Sequence, residues 1–553
     1  MKRRFPAITA AASALLAAGM AVAPGAQADS ARGHDPRPPV VVIGFDEFPI
    51  DAIRTPGGRI DAARFPNFAR FARDATWWPD ATTVHDSTPQ AFPSILDGRY
   101  PRRDVPATVE GHPASIFTLF GDRGYSVFSV EEATDICPPR YCPAAAWKRL
   151  GIIANLARNG REERLMEWMR EIRRRARPAF YFKHLLLPHL PWIYLPSGRH
   201  LDATIGSLAS PNGFHDRGLT VHNEQRLLLQ LGYLDRQLGR LVRRMKRQGI
   251  YDDALIALTA DHGIAFDVGV SDRRRVTARN VDEVAPVPFF VKAPGQRRGR
   301  VSDAHVTTVD LVPTVADLLD LEPGWTTEGV SGFSAAARAR RRMRILRREL
   351  DGFIRLGLGE LERRRREVIA SRARLFGTGA SSLRRYGDPF ASLYRSGPDG
   401  WLVGRRASDL PRRAAHVQAA FAEAERWRTV RPRGKVVPVQ AAGWIFGGVP
   451  DATREVAVTV NGRIQATGRT FRLRGPDSRE TFSMILPERS LRRGRNEVEL
   501  LEVVHRRGAI AVRALTGGGP APVPSEACLR RAPTALRRSF GWSTSAWCPI
   551  AMR

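Results

Sequence analysis

Cysteine, acidic residues and long apolar stretches are all scarce in this chain of 553 residues, and each scarcity narrows what it can be. The 4 cysteines form two local pairs, Cys137 with Cys142 and Cys528 with Cys548. No histidine lies near either pair, and Pro138, Pro139 and Pro143 stiffen the first loop. Disulfides rather than thiolate metal sites are therefore expected, as suits an oxidising compartment. A bilayer-spanning helix needs roughly 20 apolar residues, and after the N-terminal segment no run is both long and free of charge. That first segment has a basic cap, Met1 to Arg4, then small apolar residues from Ala7 to Val22, then Ala26-Gln27-Ala28. It reads as a signal peptide over residues 1–28, so the mature protein is expected to begin near Asp29, secreted or held in the cell envelope. A retained N-terminal anchor is the competing reading, and both place the working domain outside the cytosol.

Acids number 56 against 87 basic residues, a net charge of +31 carried almost entirely by arginine, in runs such as Arg273 to Arg275, Arg340 to Arg342 and Arg363 to Arg366. Such a field draws a protein to anionic surfaces: lipid head groups, teichoic-type polymers or nucleic acid. No nucleic-acid recognition module is found, and an exported chain seldom meets nucleic acid, so no such partner is expected. Peripheral contact with an anionic membrane surface stays open, as does a purely compositional origin of the arginines.

The length exceeds what one core organises. Five segments are expected: the leader at 1–28, a catalytic-type domain at 29–325, an arginine-rich helical connector at 326–384, a β-sandwich at 385–515, and a tail at 516–553 tied by Cys528 and Cys548. Between 39 and 325, short β-branched runs alternate with helical patterns, which predicts an α/β fold with a doubly wound, mostly parallel sheet covered by helices on both faces. Strands are expected at 39–45, 125–130, 179–187, 254–260 and 287–292. Helices are expected at 65–74, 114–122, 162–175, 224–248 and 309–319. The 224–248 segment places Leu227, Leu228, Leu231, Leu234, Leu238 and Leu241 on one face.

In such sheets ligands sit beyond the carboxyl ends of the strands. Asp46-Glu47 directly follows the first strand, and Asp261-His262-Gly263 follows the strand at 254–260. Carboxylate and neutral imidazole suit a divalent ion such as Zn²⁺ or Mn²⁺, and Gly263 permits a tight turn. A third segment runs His85-Asp86-Ser87-Thr88-Pro89 into a short helical stretch. This places Thr88 as an N-cap with Pro89 at the first helical position. A metal ion and a helix N-terminus would together make its hydroxyl a usable nucleophile.

The order of these segments resembles the sulfatase-like branch of the alkaline phosphatase superfamily. Phe65 to Ala72 is similar to the helix preceding that family's nucleophile, and Leu96-Asp97-Gly98-Arg99-Tyr100-Pro101 is similar to its Leu-Thr-Gly-Arg-Tyr-Pro ending. Counting back from Gly98, the resemblance puts Thr88 at the nucleophile and Asp46, Asp261 and His262 on the metal. It also puts Pro188-His189-Leu190-Pro191 on a segment contacting the ester, with His189 binding the oxyanion or protonating the leaving group.

The nucleophile segment reads Thr88-Pro89-Gln90-Ala91-Phe92 instead of Cys/Ser-x-Pro-x-Arg, so formylglycine is not expected. A plain threonine is similar to lipoteichoic-acid synthases and phosphoethanolamine transferases. It implies phosphate or phospho-alcohol ester chemistry with Asp46, Thr88, Asp261 and His262 on one ion, Mn²⁺ or Zn²⁺ first, Mg²⁺ or Ca²⁺ compatible. The substrate would be an anionic envelope polymer, a lipid head group or a small ester. Sulfuric ester hydrolysis is the alternative, and a non-catalytic envelope-binding protein is a second.

Several residues stay outside this core. Glu47 is either a second ligand or a cap of the next segment. His184 reads as a satisfied sheet-edge histidine, Lys183 and Arg275 as phosphate contacts on charge alone, and His85 and His305 as solvated loop histidines. Farther along, 335–374 reads as one arginine-rich helical stretch lying on a membrane or packed between domains. Asn461-Gly462 after a β-branched run predicts a type I′ hairpin.

Overall fold

A strand that is apolar at every position needs cover on both faces. The first strand, β1 (Val40–Asp46), is buried throughout. Val41, Ile43 and Phe45 join a cluster with the leucines of the long helix Arg217–Arg247. Val40 and Val42 join Phe92, Ile95 and Leu96 on the opposite side. The computed structural model describes residues 37–142, 160–202, 216–269, 272–449, 452–472, 480–506 and 508–516. The leader and the Cys528 and Cys548 pair lie outside them.

The other strands in chain order are β2 (Thr76–Trp77), β3 (Ser126–Val130), β4 (Ala179–Pro188), β5 (His200–Leu201), β6 (Leu255–Ala260), β7 (Phe289–Lys292) and β8 (Arg300–Val301). The central sheet runs β3-β4-β1-β6-β7-β2-β8. Its first four strands are parallel, and β7 and β2 reverse direction in turn. This is the doubly wound α/β sheet that the sequence predicts. The strand β5 lies apart and pairs with Val436–Val437, joining the first half of the chain to the second.

Helix α1 (Pro66–Phe71) and helix α2 (Thr88–Asp97) precede β3. The long helix begins seven residues before the expected Glu224, because the Asp216 carboxylate caps it by accepting from the backbone N–H of Gly218 and Leu219. Cys137 and Cys142 form a disulfide. Among the described residues no helix is long and apolar enough to cross a membrane.

The expected single helical stretch over 335–374 is not what forms. A short helix, Ala335–Ala339, is followed by a hairpin of β9 (Arg342–Leu346) and β10 (Phe353–Gly357), and only then by the helix Leu358–Phe376. In β9, Met343 and Ile345 are buried while Arg342 and Arg344 are exposed, the period of two that marks a half-buried strand. Among the described residues, two further sheets, of five and four strands, follow. Val456, Val458 and Leu500 of one share a core with Phe482 and Ile485 of the other. Asn461 and Gly462 have φ of 51° and 78°, as a type I′ turn requires.

Candidate active site

Three strand ends and one helix start meet at the carboxyl edge of the sheet. Gly44 lets them approach: a Cβ there would lie 2.5 Å from the Phe92 ring, so only glycine allows α2 to sit against β1. Helix α2 begins with Thr88 at its first position and Ser87 as N-cap, one residue earlier than expected. The Thr88 hydroxyl is thereby free of capping and lies 3.5 Å from His262 Nε2. Pro93 inside the helix removes one donor without ending it, and Gly98 closes it in the left-handed region.

Asp46, Asp261 and His262 are wholly buried, and each places a ligand atom within 4.8 Å of the others. Both carboxylate oxygens of Asp46, and Asp261 Oδ2, have no hydrogen-bond partner. Asp261 Oδ1 is committed, accepting from the backbone N–H of His262 at 2.7 Å and of Glu47 at 3.1 Å. Burial, with Asp261 and Glu47 nearby, pushes Asp46 well above the usual carboxylate range, and burial raises Asp261 too. Adjacent buried carboxylates without donors are costly until a cation joins them. His262 Nδ1 bonds the Gly263 carbonyl at 2.9 Å, the arrangement that leaves Nε2 as a lone-pair ligand. This donor set fits a divalent ion.

Glu47 does not join that group. Its φ of 58° turns it away from Asp46, and Oε1 accepts from Arg273 Nη2 at 2.6 Å, with Arg274 Nε at 3.6 Å. Burial pushes its pKa up, but Arg273, His189 and Arg274 outweigh this and bring it to about 2. The two acids at the end of β1 therefore have different tasks, one facing the candidate metal position and one anchoring guanidinium groups.

His189 follows β4. Its Nδ1 bonds the Leu190 carbonyl at 2.7 Å and its Nε2 lies 3.4 Å from Glu47 Oε1. Burial lowers its pKa to about 3 despite Glu47, so the ring is neutral. The loop is shaped from beneath by Arg161, which donates to the carbonyls of Leu186, His189 and Pro191, and by Gln230, which donates to those of Pro188 and His189.

The sequence model of the family described as Sulfatase matches residues 38–321, just over half of the chain. The chain belongs to the sulfatase family. It falls in the sulfatase-like branch of the alkaline phosphatase superfamily, among hydrolases and transferases. Among its relatives, human N-sulphoglucosamine sulphohydrolase is 32% identical over 89 residues, 16% of each chain. The lipoteichoic acid synthase of Staphylococcus saprophyticus is 26% identical over 100 residues, 16% of this chain and 15% of that one. These matches span about one sixth of the relatives' length. Of solved structures, the phosphonate monoester hydrolase of Silicibacter pomeroyi is 18% identical, with 56% of this chain and 79% of that chain covered and a TM-score of 0.41.

Within this sulfatase-family site, sequence reasoning missed several side chains. His184 is no satisfied edge histidine: it is buried, both ring nitrogens lack partners, and Nε2 lies 3.7 Å from Asp46 Oδ2. Its place in the middle of an apolar strand, opposite Gly44, was the available signal. His85 is buried instead of solvated, with Nδ1 accepting from the Ser87 backbone N–H at 3.1 Å. His305 is also buried, but it sits away from the site and bonds the Asp80 carbonyl at 2.8 Å. Lys183 faces the other way and pairs with Glu132. Arg275 is half exposed on Glu349, while its neighbours Arg273 and Arg274 turn inward. Asp86 ties the start of α2 to that segment and to the hairpin, accepting from the Val276 backbone N–H and Arg348 Nε, each at 2.6 Å.

Proposed function

We propose that this chain is an exported, metal-dependent hydrolase or transferase of phosphate or phospho-alcohol esters in which Thr88 is the nucleophile. The observation that carries the reading is the Thr88 hydroxyl, 3.5 Å from His262 Nε2 beside Asp46 and Asp261, at the N-terminus of a ten-residue helix. Asp46, Asp261, His262 and Thr88 would hold the ion, with Mn²⁺ or Zn²⁺ favoured by two carboxylates and an imidazole. Bound there, a divalent ion supplies Lewis acidity that lowers the pKa of a coordinated hydroxyl and draws charge from ester oxygens.

The steps of the chain's own residues follow. Thr88 Oγ1, its proton given up to solvent, attacks phosphorus in line, forming the threonine O–P bond as the bond to the leaving alcohol breaks and that oxygen takes a proton from water. The N–H groups at the start of α2 face the phosphoryl oxygens. Arg273 and Arg274, fixed by Glu47, place further N–H donors at the mouth of the site, and their Nε groups have no hydrogen-bond partner. In the second half, water or an acceptor alcohol attacks the same phosphorus and the threonine oxygen leaves. His189 is neutral with Nδ1 held on a carbonyl, so its Nε2 accepts a hydrogen bond from the attacking hydroxyl and orients it, while the proton lost on attack passes through water to the departing threonine oxygen.

The substrate class is an anionic envelope polymer, a lipid head group or a small exported ester. The test is turnover of bis(p-nitrophenyl)phosphate, p-nitrophenyl phosphate and p-nitrophenyl sulfate after Mn²⁺ or Zn²⁺ loading, beside Thr88→Ala. Metal-dependent phosphoester cleavage lost in the variant supports the reading. Turnover of the sulfate alone overturns the choice of phosphorus. Protein that takes up no metal and stays inert towards all three after Mn²⁺ or Zn²⁺ addition favours the non-catalytic alternative.

A further inference from the structure

We propose that the edge of the central sheet opposite the active site is a docking face for an anionic lipid bilayer. The parallel strands give the molecule two unlike ends. Asp46, His189 and Asp261 lie at or just beyond the carboxyl ends of β1, β4 and β6. At the amino ends of those strands lies a cavity of about 280 Å³ lined by Arg37, Arg173, Arg174, Arg175 and Arg177, with Asp253 the single acid among its described lining residues. Seven residues of β1 separate the two ends, about 20 Å at the rise of a strand.

The basic character continues around this edge. A neighbouring cavity of about 420 Å³ carries Arg70, Arg73, Arg243 and Lys246 against Asp74. After β7 the exposed Arg297, Arg298 and Arg300 extend the same rim. By contrast, buried Arg161 is consumed by carbonyls and Arg365 by Asp51. Here Arg173 and Arg177 are exposed, and their side chains have no hydrogen bond or ion pair among the described residues. Guanidinium groups that are already hydrated and unpaired lose little on meeting phosphates and gain bidentate contacts. Arg37, Arg174 and Arg175 are held by the Arg123 carbonyl, the Gly249 carbonyl and Glu171, so the groups open to phosphates in this cavity are Arg173 and Arg177, within a rim of net positive charge that suits an anionic membrane surface.

The course of the chain gives the second argument. The apolar run from Ala7 to Val22 is joined by residues 23–36 to Arg37, which lines this cavity. On the reading in which this leader is retained as an anchor, the chain enters the fold at the basic edge. Docked this way, the catalytic edge faces outward, toward material beyond the membrane surface.

The experiment uses the full chain and vesicles of pure phosphatidylcholine or of phosphatidylcholine mixed with phosphatidylglycerol. Sedimentation with neutral vesicles reads any contribution of the apolar N-terminus, and the difference between the two vesicle types reads the basic face. The triple variant Arg173→Glu, Arg177→Glu, Arg298→Glu is compared with a control of equal charge change on the C-terminal half, Arg405→Glu, Arg413→Glu, Arg433→Glu. Thermal unfolding checks that both fold. The expected result is a preference for anionic vesicles that falls at least about tenfold in the first variant and little in the control. Equal losses in both variants would mean bulk charge and no face. No preference for anionic vesicles, or retention only by a soluble anionic polymer, would also overturn the proposal.

Discussion

The backbone N–H of Glu47 donates to Asp261 Oδ1 at 3.1 Å, so the ends of β1 and β6 share one carboxylate. Through this bond the turn that aims Glu47 at Arg273 is coupled to the residue that faces the metal position. Ligand placement and guanidinium placement are therefore not independent.

His184 Nε2 lies 3.7 Å from Asp46 Oδ2, where it flanks the carboxylate proposed to hold the ion. His184→Ala is expected to weaken metal binding by roughly 10- to 100-fold, the range for groups that orient ligands, and His184→Gln to recover part of the loss. Metal titration followed by thermal unfolding measures both.

Arg273 and Glu47 form a buried pair. Arg273→Ala strands the carboxylate and should cost about 3 kcal/mol or more of stability in urea unfolding. Arg275→Ala removes a half-exposed partner of Glu349 and should cost less than about 1 kcal/mol. Equal costs would contradict the inward turn of Arg273 and Arg274.

His222 lies where the long helix meets the C-terminal sheets, with Nε2 3.0 Å from Ser483 Oγ. Burial, aided by Arg226, lowers its pKa from 6.5 to about 3. The unfolded chain then binds the extra proton between those values, so this contribution is complete above pH 6.5 and is lost as pH falls toward 3. The slope is at most about 1.4 kcal/mol per pH unit. His222→Gln should flatten the acid side of the stability profile relative to the parent chain, as followed by thermal unfolding across pH.

Much of the candidate site was legible because its parts lie at strand ends. Asp46, Asp261 and His262 each sit directly after a buried apolar run, and Thr88-Pro89 marks a helix start. Gln230 was legible in principle, as a polar residue within a leucine-lined helix, although its carbonyl partners were not. His184 was obscured because a strand's facing depends on the register of its neighbours. Arg273 was obscured because nothing local distinguishes it from Arg275; the contact with Glu47 decides which guanidinium turns in. The β9–β10 hairpin was hidden by arginine itself, which suits a helix surface and the outer face of a strand alike, so Met343 and Ile345 were too few to establish the period of two.

Thr88→Ala should lower turnover by at least about 10³-fold, while Thr88→Ser retains measurable activity. The decisive measurement is peptide mass mapping of the metal-loaded chain quenched during turnover of a phosphodiester. The account predicts a phosphoryl adduct on the peptide containing Thr88, absent from Thr88→Ala. An adduct on another residue, or undiminished turnover in Thr88→Ala, would contradict it.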